Sequence, residues 1–251
     1  MENINLLLFN AYNILALDIK ASKKEIFNQA KRLFQQIKFE DQTKQNSDLN
    51  FNTIRTEKNI NEALQLLSVP AKKIKEYFFW FENLDEIDKQ FLNLVKLNEY
   101  NAALNFLKDH IQKNKTSDLL KEKNLGILNI FLLTQGRADL LDETLILWKE
   151  ILSSKKFWNN FIKNYKLHDD LETSDEIISS FQENVESFLA DYFTDLAVTN
   201  NNPIFISSFF NYFNNKGNLI NTLIVNPSLE LINKKIGVLN SIKVSEDKVF
   251  S

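Results

Sequence analysis

The sequence predicts an all-α fold, and three observations lead to this prediction. Apolar residues recur at intervals of three or four in most segments, which is the spacing of one helix face. The 251 residues include only 4 glycines and 3 prolines, too few for the turns of a β-sandwich or barrel. Capping residues and helix breakers separate the apolar segments. With 44% hydrophobic residues, the chain has enough apolar mass for a complete core and for one or two domains.

The composition excludes several function classes. The chain has no cysteine, which excludes disulfides, thiolate nucleophiles and zinc sites with cysteine ligands. A formal net charge of −3 gives no field that would favour nucleic acid or a membrane surface as a partner. No apolar run reaches the roughly 18 residues of a membrane helix, and the first residues lack the pattern of a secretory leader. We therefore expect a cytoplasmic protein that binds neither nucleic acid nor membrane.

The first predicted domain, residues 1–82, begins with a short helix or turn and continues with an amphipathic helix. Ser22 and Glu25 fit a capping box at the start of that second helix. The apolar stripe that follows consists of Ile26, Ala30, Leu33 and Ile37. A polar segment, residues 38–55, separates this helix from a third one that Thr56 caps.

The second helix carries basic residues away from its apolar stripe. They are Lys24, Lys31, Arg32 and Lys38. Two interpretations remain open at this point: a solvated helix surface, which is the commoner case, or a docking face for an acidic partner.

Residues 59–81 contain a helix break and an aromatic run, and the fold of the first half of the chain is predicted to be organised around them. Pro70 interrupts a helical pattern, because proline donates no backbone hydrogen bond and keeps Val69 out of helical geometry. The stretch ends in a run of aromatic residues, 77–81 (YFFWF), that is too apolar to remain in water. We expect Phe79 and Trp80 to pack between the first domain and the helices that begin near residue 85.

Short strings in this first third resemble the J-domain family of co-chaperones. Residues 12–17 (YNILAL), 21–26 (ASKKEI) and 30–33 (AKRL) are similar to its first two helices, and residues 60–63 (INEA) and 67–73 (LSVPAKK) to its third and fourth. The resemblance implies a four-helix head. It also implies that Lys24, Lys31, Arg32 and Lys38 contribute to a basic face that docks a DnaK-type chaperone.

The sequence departs from the J-domain pattern where that family acts. J-domains stimulate the chaperone ATPase through a His-Pro-Asp tripeptide between the second and third helices. Residues 38–55 contain neither histidine nor proline, and the only histidines are His110 and His168. We therefore expect a J-like head that does not stimulate the ATPase.

The second predicted domain, residues 83–215, is a succession of helices. Residues 97–104 (LNEYNAAL) resemble the turn and second helix of a tetratricopeptide repeat, but no strict period follows. The prediction is therefore an irregular α-solenoid or helical bundle, an arrangement similar to bacterial proteins that join a J-like head to such helices.

Three helices of this domain have clear local signals. A helix at residues 119–134 is followed by a stop at Gln135 and Gly136. Thr173 and Glu176 fit a capping box at the start of the longest helix. Residues 202–203 (NP) start a Phe-rich helix that extends to residue 213. The third segment, residues 216–251, is an ambiguous tail that fits a short hairpin, a loose end or a helix equally well.

Aromatic residues are unusually dense near the end of the second domain. Adjacent residues on a helix point about 100° apart, so Phe209 and Phe210, like Tyr212 and Phe213, cannot all face one core. Either these four side chains form an interface with a protein partner or a second copy, or the tail folds back and covers them.

The sequence offers no constellation of catalytic or ligand-binding residues. The run of residues 168–170 (HDD) is better explained as a polar loop than as a metal site, because adjacent residues converge poorly on one ion. Residues 108–110 (KDH) fit a helix end, and Trp148 and Trp158 fit a core. We therefore expect a non-catalytic adaptor or scaffold without metal or cofactor, which binds a DnaK-type chaperone or the subunits of a multiprotein complex. The alternative is a co-chaperone that recruits the ATPase through a non-standard loop.

Overall fold

The computed structural model describes residues 7–39, 55–113 and 119–213. This part of the chain is α-helical with no strand, which confirms the predicted all-α fold. A 3-10 turn at Ala138–Leu140 precedes the eighth helix. The α-helices are α1 Ala11–Leu15, α2 Lys23–Phe39, α3 Glu57–Ser68, α4 Pro70–Phe78, α5 Glu86–Lys96, α6 Tyr100–Lys113, α7 Leu119–Thr134, α8 Leu141–Ser153, α9 Lys155–His168, α10 Asp175–Thr199 and α11 Ile204–Tyr212.

The chain divides into two compact units, Met1–Glu186 and Ser187–Ser251. The first unit contains α1 to α9 and the first half of α10, so the predicted domain boundary at residue 82 falls inside it. The second unit contains the rest of α10 and α11. The predicted tail, residues 216–251, lies outside the described residues, as does most of the polar segment 38–55.

The first four helices pack around α3, which contacts α1, α2 and α4. Ile26, Ala30 and Leu33 of α2 are buried, as the periodicity predicts. The capping box at α2 is confirmed: the Glu25 carboxylate accepts hydrogen bonds from the Ser22 backbone N–H and hydroxyl at 2.8 and 2.7 Å. The α3 cap is confirmed as well, with Thr56 and Asn59 each accepting from the other's backbone N–H.

The break at Pro70 is confirmed. Val69 has extended backbone angles (φ −114°, ψ 119°), which ends α3 at Ser68 and allows α4 to begin at Pro70. Proline is tolerated there because the first N–H of a helix has no intrahelical partner.

Helix α7 lies at the centre of the first unit. Every residue from 120 to 133 is buried, and the helix contacts α6, α8 and α9. The helix ends where the sequence predicts: Gly136 adopts a positive φ of 87°, and the Arg137 N–H donates to the Leu132 carbonyl oxygen at 3.0 Å. Gly126 allows Trp148 of α8 to approach closely, since a Cβ at this position would lie 3.0 Å from the Trp148 ring.

The aromatic run joins the end of α4 to the later helices, and all five of its side chains are buried. Phe78 is the hub: its ring lies 5.2 Å from Phe161, 5.7 Å from Trp158 and 5.3 Å from Phe181, measured between centroids. Two further contacts are Phe79 with Trp148 (6.2 Å) and Phe81 with Phe91 of α5 (5.6 Å). The burial expected of Phe79 and Trp80 is therefore present. Phe79 packs against α8, whereas Trp80 lines a cavity together with Leu92 of α5.

The predicted capping box at α10 is wrong by one residue. The Ser174 hydroxyl, rather than that of Thr173, accepts from the Ile177 N–H, at 3.5 Å. Thr173 is buried, and its hydroxyl forms a 2.9 Å hydrogen bond with the Tyr165 hydroxyl. The sequence pattern favours Thr173, because Glu176 follows it three residues later and Ser174 has Ile177 at the same spacing. The pattern does not show that the Thr173 hydroxyl is occupied by Tyr165 in the interior.

In the second unit, α11 begins after Pro203 as predicted, and the Asn202 side chain accepts from the Ile204 N–H at 3.1 Å. Phe209 stacks on Phe193 at 5.4 Å and on Phe213 at 4.5 Å between centroids. Leu189, Tyr192 and Leu196 of α10 are buried too.

Candidate functional site

The outer face of α2 is the candidate functional site. Lys24, Lys31 and Lys38 are exposed and follow one another at seven-residue intervals, which is close to two helical turns, so they form one stripe. Arg32 is exposed too and lies beside this stripe, because the residue after Lys31 is rotated by about 100°. The structure therefore brings together all four basic residues that the sequence singled out on this helix.

Phe27 is exposed in the middle of this face, a feature that the sequence analysis missed. Its side chain is 60% exposed, and it lies three residues after Lys24 and four before Lys31. Residues at these spacings are neighbours on a helix surface. The signal was present in the sequence, since Phe27 stands outside the stripe formed by Ile26, Ala30 and Leu33. We call Lys24, Phe27, Lys31, Arg32 and Lys38 the α2 face.

The only acidic residue of α2, Glu25, does not neutralise this face, because Ser22 holds it at the helix start. Hydrogen bonds from the Ser22 side chain and backbone lower the pKa of Glu25. The carboxylate therefore stays ionised beside the positive end of the helix dipole, where a negative charge is favourable.

Asp170, in the connection between α9 and α10, fixes the start of α2 from a position 147 residues away in sequence. Its carboxylate accepts a hydrogen bond from the backbone N–H of Lys23 and another, at 2.6 Å, from the Nζ of Lys73 in α4. Burial opposes ionisation of Asp170, but these hydrogen bonds outweigh it and lower its pKa. Asp169 lies 3.8 Å from the same Nζ and accepts from the N–H groups of Leu171 and Thr173, which shapes the loop.

The polar loop expected at residues 168–170 is present at Asp169 and Asp170, which have these structural roles, whereas His168 is the last residue of α9. A helix N-terminus carries backbone N–H groups without intrahelical partners, and Asp170 satisfies one of them. No local signal could have assigned Asp170 to α2, because the pairing is set by how α9 and α10 pack.

A second group of charged residues lies in the interior, between α7 and the segment that follows the aromatic run. Lys123 is fully buried, and its Nζ donates to the Glu82 carboxylate and to the Trp80 carbonyl oxygen, each at 2.9 Å. The Nζ also lies 5.6 to 5.8 Å from the ring centroids of Tyr77, Phe78 and Phe161, within range of cation–π attraction. Burial lowers the pKa of Lys123, while Glu82 opposes that shift.

The neighbouring residues continue this network. The Nζ of Lys121 lies 2.8 Å from Asp88 and 2.9 Å from Asp85. Burial works against the charge of Lys121, but hydrogen bonds with Asp88 and Asp85 outweigh it and raise its pKa. Asn124 accepts from the Glu82 N–H at 2.7 Å and donates to Asp88 at 3.0 Å. These contacts fasten residues 80–88 to α7, and they leave Lys123 without exposed surface on which to meet a substrate.

A carboxyl group on α4 contributes to the packing of α1. Glu76 accepts from the Ala11 N–H at 2.7 Å, at the first residue of α1. Burial raises the pKa of Glu76 to about 7, against the effect of that hydrogen bond and of Lys75. The carboxyl group thus titrates near neutral pH.

A cavity of about 240 Å³ opens between the α1–α2 connection and α5. Leu17, Asp18, Trp80 and Leu92 are among the residues that line it. Asn83 closes one side by donating to the Asp18 carboxylate at 2.8 Å. The lining mixes apolar and charged groups and presents no cluster of catalytic residues.

The four aromatic residues predicted to bind a partner lie in the second unit. Phe209 is 1% exposed, so its ring packs within that unit, whereas Phe210, Tyr212 and Phe213 are half-buried. Binding through these residues remains a prediction, and the tail that forms the alternative cover lies outside the described residues.

The remaining predicted positions are structural. Trp148 and Trp158 are 0% and 7% exposed, as expected of core residues. Lys108 pairs with Glu143 of α8 at 2.7 Å, and His110 lies in the last turn of α6.

Within residues 7–39, 55–113 and 119–213, no three His, Asp or Glu side chains are arranged to hold a metal ion. Nor does this part of the chain contain a helix with the length and apolarity needed to cross a membrane.

Comparison with known proteins finds no protein-family model, no curated protein and no solved structure that matches this chain.

Proposed function

We propose that this protein is a non-catalytic adaptor that binds an acidic segment of a partner protein through the α2 face. The observation that carries the proposal is the exposed row of Lys24, Phe27 and Lys31 on a helix whose other side is buried and whose start is fixed by Asp170. The proposal includes the cytoplasmic location expected from the sequence.

The chemistry of the face favours a protein as partner. An exposed phenyl ring between two ammonium groups suits an acidic peptide that also carries an apolar side chain. Aromatic residues surrounded by polar groups are typical of binding energy hot spots, whereas isolated surface lysines contribute little. Helix α2 is also well suited to binding, because a rigid element loses little conformational entropy on association.

A second candidate is recruitment of a DnaK-type chaperone. The order of α1 to α4 and the basic residues on α2 favour it, together with the resemblance of the sequence to J-domains. Stimulation of the chaperone ATPase is not part of this proposal, since residues 38–55 lack the His-Pro-Asp tripeptide.

Affinity capture from the native host, read by quantitative mass spectrometry, tests the adaptor. The comparison uses the wild type, the double variant Lys24→Glu/Lys31→Glu, a Phe27→Ala variant and a matched control, Lys89→Glu/Lys113→Glu. The control carries the same change of charge at two exposed positions of α5 and α6. We expect at least one partner to be lost from both α2 variants and retained by the control, and purified partner should then bind the wild type directly.

Partners that all four proteins capture equally would overturn the assignment of the α2 face. A steady-state ATPase assay with a purified DnaK-type chaperone separates the second candidate. Binding without stimulation supports recruitment, and stimulation that changes in residues 38–55 abolish would show an active co-chaperone instead.

A further inference from the structure

Two consecutive helices carry opposite charge. Helix α9 contains Lys155, Lys156, Lys163 and Lys166 and no Asp or Glu, whereas α10 contains six acidic residues and no Lys or Arg. The acidic residues of α10 are Asp175, Glu176, Glu183, Glu186, Asp191 and Asp195. A net charge of −3 for the whole chain hides this separation.

The lysines of α9 all lie on its outer side. Phe157, Trp158, Phe161 and Tyr165 bury the inner side, and the four lysines are exposed together with Asn159 and Asn160. Lys155 and Lys156 occupy the first turn, where the positive end of the helix dipole disfavours cations. The helix dipole therefore does not favour lysine at these positions.

The acidic residues of α10 that belong to the first unit are exposed or half-buried. Asp175, Glu176 and Glu183 are exposed, and Glu186 is half-buried. Lys166 and Asp175 form an ion pair at 2.5 Å beside the connection between the two helices. The other three lysines lie nearer the start of α9, away from that connection: Lys155, Lys156 and Lys163.

We propose that the basic side of α9 docks against the acidic side of α10 in a second copy of this chain. Because both sides belong to one chain, a two-fold arrangement makes the contact twice, with α9 of each copy against α10 of the other. Charge complementarity carries the proposal: each side offers one sign of charge only, and a second copy supplies the opposite sign on a helix. This inference does not rest on the proposed role of the α2 face.

The size of the surface predicts a weak and salt-sensitive association. Helix α9 has 14 residues and is about 21 Å long, so one helix face falls well short of the roughly 800 Å² per partner of a stable interface. Two such contacts related by symmetry double the buried area and bring it closer to that value. Exposed ion pairs are screened beyond about 10 Å at 0.1 M salt, so the dimer should form at low ionic strength and dissociate at high ionic strength.

Sedimentation velocity of the full chain over a concentration series tests the proposal, at about 0.01 M and about 1 M salt, where the Debye lengths are about 30 Å and 3 Å. Two charge-reversed variants are needed: Lys155→Glu/Lys163→Glu on α9 and Glu183→Lys/Glu186→Lys on α10. Lys89→Glu/Lys113→Glu is the control for a general change of charge. Circular dichroism melts establish that each variant is folded.

We expect the wild type and the control to dimerise at low salt, and each reversed variant to associate at least tenfold more weakly, because like charges then face each other. An equimolar mixture of the two reversed variants restores both contacts with opposite signs, so dimers should reappear in the mixture alone. A wild type that stays monomeric at low salt overturns the proposal, and so does a mixture that fails to recover.

A folded monomer that binds heparin through Lys155 and Lys163 would also overturn it, and would assign α9 to a different polyanionic ligand. The outcome is independent of the affinity capture described above, which depends on α2.

Discussion

Helices α2 and α7 have nearly the same length, 17 and 16 residues, and both carry lysines, yet the lysines have opposite environments. Those of α2 are exposed, whereas Lys121 and Lys123 of α7 are 2% and 0% exposed. The reason is packing: α2 buries one stripe, while α7 is covered on every side. An exposed lysine stays hydrated and available to a partner, and a buried one requires a carboxylate within the fold.

The largest loss in the free energy of unfolding is expected from Lys123→Ala. The substitution leaves the Glu82 carboxylate buried without its cation, and breaking a buried pair in this way typically costs about 3–5 kcal/mol. Urea unfolding followed by circular dichroism measures the change in the free energy of unfolding.

The double variant Lys123→Met/Glu82→Gln is the matched control, because it removes both charges and keeps the volume. It should regain much of the loss, since two well-packed neutral groups replace a buried pair with little penalty. Equal stability of Lys123→Ala and the wild type would show that water enters around Lys123, and would remove the contrast with α2.

The sequence predicts α2 and α7 equally well as helices but not their different burial. The bounds predicted for α7, residues 119–134, agree with the structure, since its apolar content and Gly136 are local signals. Glu82, Asp85 and Asp88, which partner Lys121 and Lys123, lie 33 to 41 residues earlier in the chain. Tertiary packing alone brings them together, as it brings Asp170 to α2.

A second effect on the free energy of unfolding is expected from Glu76, a half-buried carboxyl group on α4. The pKa of Glu76 is raised from 4.5 to about 7 in the folded protein, so the native state binds more protons than the unfolded state between these values. Stability contributed by this group is therefore present below pH 4.5 and is lost as the pH rises to 7, by about 3 kcal/mol over the whole window.

Glu76→Gln tests this, because the amide oxygen still accepts from the Ala11 N–H but does not ionise. The difference in free energy of unfolding between the variant and the wild type should grow from pH 4.5 to 7 and stay constant above it. Denaturant titrations at several pH values measure this difference. Parallel pH profiles of the two proteins would contradict the raised pKa.

A smaller effect is expected from Gly126→Ala on α7. Alanine favours an exposed helix over glycine by about 1 kcal/mol, but here the added Cβ would lie 3.0 Å from the Trp148 ring. Overpacking of this kind typically costs about 1–3 kcal/mol, so we expect net destabilisation despite the better helix former. Thermal melts measure it, and a higher melting temperature would show that Trp148 moves aside at little cost.

The smallest effect on the free energy of unfolding is expected from the exposed lysines of α2, which should have the largest effect on binding of the proposed partner. Lys24→Ala and Lys31→Ala remove charges that are exposed to solvent, so each should change the free energy of unfolding by no more than about 0.5 kcal/mol. Alanine also favours the helix slightly, which makes a small gain as plausible as a small loss. Urea unfolding of these two variants and of Lys123→Ala under the same conditions gives the three free energies of unfolding to be compared. A loss of several kcal/mol from either α2 variant would mean that its lysine supports the fold, and the α2 face would then be a poor candidate for binding a partner.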